Sequence, residues 1–170
     1  SEMKNNKIIK KDKNPNYYIY QIKTLKHVQL GFLAVANINT FISNKVKGHE
    51  LTYENRTNER ADQMMNLESQ IGPIYVTYKD DDNLNDFLFQ LTLTSPQYDF
   101  ISFDNSRHSL WCIDDKIDIK QLTTFISKIE NLYIADGHHR ISAMRKIFEL
   151  KLSKNNNHTG LEGYNYFMIA

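Results

Sequence analysis

The chain has 170 residues, 41% of them hydrophobic, which suffices for one ordinary core, and its single cysteine, Cys112, excludes an intramolecular disulfide framework. Its 21 basic residues nearly balance its 20 acidic ones, so no large field of one sign favours nucleic acid or an anionic membrane, and we expect neither partner. No apolar run approaches the roughly 20 residues that span a bilayer, and the polar, basic first residues do not form a signal peptide, so we expect a cytoplasmic protein.

The pattern of apolar residues along the chain predicts interleaved strands and helices. Residues 1–16 are polar and rich in lysine, and we expect a flexible tail or a cut edge there. Strands are predicted where β-branched and aromatic residues cluster, and helices where apolar residues recur every three or four positions. The predicted strands are 17–22, 30–38, 74–78, 98–103, 109–113, 132–135 and 164–169, and the predicted helices are 55–71, 84–91, 121–130 and 141–152.

Local signals set several boundaries between these elements. Gly72-Pro73 is predicted to end the first helix, and Asp80–Asn83 to form a turn and N-cap rather than a Ca²⁺ loop, whose spacing and glycine it lacks. Trp111 and Cys112 are predicted to fill the core. Three histidines look isolated and are interpreted as structural or surface residues: His27, His108 and His158.

The irregular order of helices and strands predicts the fold class. We expect a compact mixed α/β domain of the α+β class over residues 17–170. The last predicted strand stops at Ala170 without a closing element, and this suggests a piece of a longer protein.

The run Asp136-Gly137-His138-His139-Arg140 joins a predicted buried strand to a helix. Gly137 permits a close backbone approach or a positive φ, and the N–H groups and dipole of a helix start favour phosphate or carboxylate. Arg140 can bind phosphate in a bidentate manner, and His138 or His139 can donate or shuttle a proton. Asp136 can bind Mg²⁺ or hold an imidazole in one tautomer. In the plainer alternative, Asp136 caps the helix and the histidines are solvated or structural.

The run Gly48-His49-Glu50-Leu51-Thr52 is predicted to form a loop between a strand and a helix. Glu50 can act as a general base on a substrate hydroxyl, with His49 positioning it or contacting phosphate, whereas Thr52 is equally suited to be an N-cap. Arg56 and Arg60 lie four residues apart on one helical face. They can reach a phosphate together, or pair with neighbouring acids on a solvated surface.

These two runs resemble the DUF1015 family, uncharacterised proteins of bacteria and archaea. The run LYIADGHHR before a helix is similar to the signature of that family, and other segments match it in order along most of the chain. The chain departs from the family pattern at Ile141-Ser142, where Tyr-Glu is usual, and at Arg56, where Lys is usual. Family members are about twice as long, so the resemblance implies a central fragment or a shortened relative. The further matching segments are 17–20, 48–52, Arg56, Arg60, 73–78 and 110–111.

The DGHHR turn of this family is in turn similar to the phosphate-binding turn of the ParB/sulfiredoxin superfamily. That superfamily includes free-serine kinases, sulfiredoxins and CTP-binding partition proteins. The resemblance therefore implies a ParB/sulfiredoxin-like domain, with a mixed sheet flanked by helices, that binds ATP, ADP or CTP together with Mg²⁺. In this interpretation Gly137, His138, His139, Arg140, Arg60 and Arg56 bind the nucleotide phosphates, Asp136 binds the metal, and Glu50, His49 and His138 are catalytic.

Three functional hypotheses follow from the resemblance and the residues. The first is a small-molecule phosphotransferase or nucleotide hydrolase, with serine or a related hydroxyl compound as substrate. The second is a nucleotide-binding switch of the ParB type without fast turnover. The third is a non-catalytic fragment whose site is completed by other sequence. The near-neutral charge and the lack of an evident helix-turn-helix count against a DNA-binding partition role and favour the first. Substitution of Glu50, which a switch does not need, discriminates between the first two hypotheses, and the oligomeric state stays open.

Overall fold

A computed structural model describes residues 2–170, and Ser1 lies outside the described residues. The strands are β1 (Tyr17–Lys23), β2 (Val28–Asn37), β3 (Val46–Lys47), β4 (Tyr75–Tyr78), β5 (Tyr98–Ile101), β6 (Arg107–Ile113), β7 (Leu132–Asp136) and β8 (Tyr166–Ile169). The helices are α1 (Glu2–Asn5), α2 (Asn39–Ile42), α3 (Glu54–Leu67), α4 (Asp82–Leu91), α5 (Lys116–Lys128) and α6 (His138–Lys154), with a short 3₁₀ helix at Gly163–Asn165. Within residues 2–170, no helix is long and apolar enough to cross a membrane.

The strands form two sheets that meet along one edge. Five antiparallel strands lie in the order β5-β6-β1-β2-β8, and three lie in the order β3-β7-β4. In the smaller sheet, β3 is parallel and β4 antiparallel to β7. Ile74 joins the two sheets, since its N–H donates to the Met168 carbonyl at 2.9 Å and its carbonyl accepts from the Ala170 N–H at 3.0 Å. The predicted α+β class is confirmed.

Each sheet buries one hydrophobic cluster under two helices. Helices α4 and α5 cover the larger sheet through residues such as Leu84 and Leu122, whereas α3 and α6 pack on the smaller sheet. Three partly buried side chains touch both clusters, so the apolar interior is continuous: Ala34, Tyr78 and Ile129.

Several predicted boundaries differ from the structure for local reasons. Helix α5 begins at Lys116 rather than 121 because the Asp115 carboxylate accepts hydrogen bonds from two first-turn N–H groups, at 2.8 and 3.1 Å. Helix α3 ends at Leu67, ahead of Gly72, because Glu68 adopts a left-handed conformation with φ of 49°. The N-cap of α3 is Tyr53, so the prediction of Thr52 as a cap is wrong.

The structure also tests predictions about which side chains are buried and which histidines are isolated. Trp111 is buried as predicted, but Cys112 points to the opposite face of β6 and is only half-buried. Strand β7 is not uniformly buried, because its alternate residue Tyr133 faces outward and is 47% exposed. His108 is not isolated either, since its Nδ1 lies 2.6 Å from the Tyr20 hydroxyl.

Candidate functional site

The topology of the smaller sheet brings three loops to one edge. Because β3 and β7 are parallel, the chain leaves both strands at the same edge, and residues 48–53 and 136–140 meet there. Strand β4 is antiparallel to β7, so the segment that leads into it, residues 68–74, arrives at the same edge. The two runs singled out in the sequence therefore lie side by side.

Between these loops and α3 lies a cleft of about 620 Å³. Every site residue predicted from the sequence lines it except His49, which lies beside it. Three further lining residues were not predicted as part of the site: Glu59, Ile71 and Gly72. Glu59 sits between Arg56 and Arg60 on the same helix, so helical periodicity could have indicated it.

At the base of the cleft, His138 holds Glu50. His138 is only 5% exposed, and its Nε2 accepts a hydrogen bond from the backbone N–H of His49 at 3.3 Å. The proton of a neutral imidazole is then assigned to Nδ1, which lies 3.2 Å from Oε2 of Glu50. The Glu50 side chain is 59% exposed and open to a ligand. Both nitrogens of His138 are thus occupied, and His138 is better suited to orient Glu50 than to exchange protons itself.

His49 lies at the rim of this arrangement. Its ring contacts that of His138 edge-on, with centroids 4.7 Å apart, and its Nε2 lies 3.9 Å from Oε1 of Glu50. Its side chain is 69% exposed. His49 therefore contributes a backbone N–H to the site and leaves its imidazole largely in solvent.

Arg140 is wedged between two glycines at the start of α6. Its guanidinium forms an ion pair with Asp136 and donates from Nη1 to the Pro73 carbonyl at 2.6 Å. A Cβ at Gly72 would lie 2.9 Å from Nη1, and one at Gly137 would lie 3.1 Å from Nε. Both glycines also have positive φ, 73° and 105°. The N-cap of α6 is Gly137, so Asp136 is the partner of Arg140 rather than the cap.

The first turn of α6 presents unpaired N–H groups toward the cleft. The first intrahelical bond runs from the Ile141 N–H to the Gly137 carbonyl, at 3.0 Å, so the N–H groups of the three residues before Ile141 have no acceptor inside the helix. The helix dipole adds partial positive charge at this end. This end of α6 therefore favours an anionic group.

Tyr53 does not line the cleft, but it contacts two residues that do, His139 and Arg56. The His139 ring stacks on Tyr53 with centroids 6.2 Å apart and an interplanar angle of 19°. The Arg56 guanidinium lies 5.8 Å from the centroid of the same Tyr53 ring. Arg60 donates from Nη1 to the Gln63 side chain at 2.9 Å. Tyr53 was not predicted as a site residue, although its place just after the His-Glu-Leu-Thr run could have suggested it.

Asp136, the metal ligand predicted from the sequence, is one of three carboxylates that line the cleft. The Asp136 side chain is 73% exposed, but residues 2–170 contain no group of three or more His, Cys, Asp or Glu side chains placed to hold a metal ion. Mg²⁺ is usually held by one or two carboxylates together with substrate phosphates. Asp136 is such a carboxylate, although it is already ion-paired with Arg140, and residues 2–170 form no metal cage by themselves.

The protein therefore has an α+β fold, with a polar cleft at one edge of the smaller sheet that favours an anionic ligand. The chain belongs to the DUF1015 family, whose model, described as "Protein of unknown function (DUF1015)", matches residues 1–170. The resemblance to the DUF1015 family noted in the sequence is thereby confirmed. Comparison with curated proteins and with solved structures gives no match.

Proposed function

We propose that the cleft binds the phosphates of ATP or ADP and transfers a phosphoryl group to the hydroxyl of a small molecule such as serine. One observation carries this proposal: Glu50, oriented by the buried His138, lines the same cleft as the N-terminus of α6. A carboxylate fixed beside an anion-binding helix start is the pair of features that phosphoryl transfer to a hydroxyl requires.

The binding half of the proposal uses the start of α6. The terminal phosphate would accept from the free first-turn N–H groups and from the guanidinium donors of Arg140 that Pro73 and Asp136 leave unused. His139 lies in the same turn and lines the cleft. Asp136 would hold Mg²⁺ against the phosphates, where the ion offsets their negative charge.

The chemical half uses Glu50 as general base. Glu50 takes the proton of the acceptor hydroxyl, and the acceptor oxygen bonds to the terminal phosphorus. The bond between that phosphorus and its bridging oxygen breaks, which releases the nucleotide product. His138 keeps Glu50 in position through its Nδ1, 3.2 Å away. The start of α6 and Arg140 offset the charge that develops on the phosphoryl oxygens. We propose the cytoplasm, where ATP and ADP are plentiful, as the place of this reaction.

A nucleotide screen with three variants tests the proposal. ATP, ADP and CTP with Mg²⁺ are added to the wild-type protein, Arg140→Gln, Glu50→Gln and the control Arg145→Gln, whose arginine lies on the same helix and pairs with Glu149. A ligand at ~100 times its dissociation constant should add roughly 2.7 kcal/mol to the free energy of unfolding. We expect stabilisation of the wild type, Glu50→Gln and Arg145→Gln, with loss in Arg140→Gln.

Turnover then separates an enzyme from a switch. A phosphotransferase should lose product formation in Glu50→Gln while nucleotide binding persists. If the wild-type protein binds nucleotide but forms no product, the ParB-type switch replaces the kinase-like proposal, and if Glu50→Gln keeps full turnover, Glu50 is not the base. If no nucleotide stabilises the wild-type protein at millimolar concentration, both are wrong for this chain.

A further inference from the structure

The arginines of the chain fall into two groups. Three of the five pair with a carboxylate: Arg107 with Asp99, Arg140 with Asp136, and Arg145 with Glu149. Within residues 2–170, Arg56 and Arg60 have no carboxylate within 4.0 Å, and both line the cleft. The two arginines without an acidic partner are therefore the two that α3 presents to the candidate site.

Neutral groups orient both of these cations. The Arg56 guanidinium lies against the Tyr53 ring, and Arg60 donates to the Gln63 side-chain oxygen. Neither partner offsets the positive charge. The two residues are one helical turn apart, where like charges repel each other. Guanidinium groups that are held in place without a counter-ion are suited to bind a carboxylate.

We propose that Arg56 and Arg60 bind the carboxylate of the phosphoryl acceptor, so that the acceptor is a hydroxy acid, hydroxy amino acids included. This inference rests on the proposed function. In the proposed function the phosphates bind the start of α6 and Arg140, so Arg56 and Arg60 are available to the acceptor. Glu50, which must contact the acceptor hydroxyl, is a carboxylate that lines the same cleft. A carboxylate that approaches Glu50 and Glu59 would be repelled, and two guanidinium groups offset that repulsion.

The test is direct binding of small acceptors, which needs no turnover. L-serine and D-glycerate are titrated into the wild-type protein by calorimetry, beside ethanolamine and glycerol, which lack the carboxylate. Each titration is run alone and with a non-hydrolysable ATP analogue and Mg²⁺. The variants are the double substitution Arg56→Gln with Arg60→Gln, and Arg145→Gln as the matched control. Both positions of the double variant are exposed, and circular dichroism checks that it folds.

We expect the two hydroxy acids to bind the wild type and Arg145→Gln, and to bind the double variant at least tenfold more weakly. Ethanolamine and glycerol should bind weakly and equally to all three proteins. Equal hydroxy-acid affinity in the double variant overturns the inference, as does absence of hydroxy-acid binding under both conditions. If the double variant instead loses the ATP analogue and keeps the acids, the arginines serve the nucleotide. Failure of the analogue to bind the wild type counts against the proposed function, independently of the acid titrations.

Discussion

Gly72→Ala should destabilise the protein more than its backbone conformation alone explains. Gly72 has a φ of 73°, and an added Cβ would lie 2.9 Å from Nη1 of Arg140. Gly160 is the matched control, because its φ of 85° carries a similar conformational penalty while its Cβ would meet nothing within 4 Å. The difference in unfolding free energy between the two alanine variants therefore measures what the contacts of the Arg140 guanidinium contribute.

The magnitudes follow from two separate terms. A left-handed alanine costs roughly 1–2 kcal/mol relative to glycine, and both variants bear this cost. In Gly72→Ala the guanidinium must also move away from the Pro73 carbonyl and Asp136. Hydrogen bonds to charged groups contribute about 1.5–3 kcal/mol when buried, and the Arg140 side chain is partly exposed, so we expect about 1–2 kcal/mol more for Gly72→Ala.

Urea unfolding of four proteins measures these terms: wild type, each alanine variant, and Gly72→Ala combined with Arg140→Gln. Once Arg140 is replaced, the alanine at position 72 should cost no more than the alanine at position 160. Equal destabilisation by Gly72→Ala and Gly160→Ala in the wild-type background would show that the contacts of Arg140 with Pro73 and Asp136 do not depend on a glycine at position 72.

Further predictions concern stability away from the cleft. Hydrogen bonds from Arg107 lower the pKa of Asp99 from 3.8 to about 2, so Asp99 stabilises the fold above pH ~4 and loses this effect as the pH falls toward 2. Asp99→Asn should flatten the pH dependence of unfolding in that window, and a carboxyl pKa near 4 by NMR would contradict it. Leu122→Ala removes a fully buried side chain and should cost about 2–5 kcal/mol in urea unfolding, against little for Leu93→Ala, whose leucine is 71% exposed. Asp81→Ala removes the cap of α4 and should cost ~1 kcal/mol in the same assay; no change would show that the cap bonds contribute nothing.

Local patterns predicted the elements better than their ends. The apolar stripes on α4 and α6, the aromatic and β-branched run of β1 and the nearly all-apolar run of β2 are properties of neighbouring residues, so they could be predicted from the sequence alone. The early start of α5 depends on one cap at Asp115, and the end of α3 on the left-handed Glu68. Both are single-residue events that periodicity does not register.

Most residues that line the candidate cleft could be predicted from the sequence, but the contacts between them could not. Both runs that line the cleft were recognised, yet the bond from the His49 N–H to His138 joins residues 89 apart in sequence, and only the parallel pairing of β3 with β7 brings them together. The sequence assigned Arg140 to phosphate and Asp136 to metal. Their spacing of four residues at a helix start equally indicated an ion pair with each other, which the structure has.

The central claim is that Glu50, held by His138, is the base of a phosphoryl transfer in this cleft. The most direct measurement is ³¹P NMR of the wild-type protein and Glu50→Gln with ATP, Mg²⁺ and L-serine. We expect a new phosphomonoester resonance with the wild-type protein and none with Glu50→Gln, although both proteins bind the nucleotide. An equal phosphomonoester signal from both proteins, or no product from a wild-type protein saturated with nucleotide and serine, would contradict it.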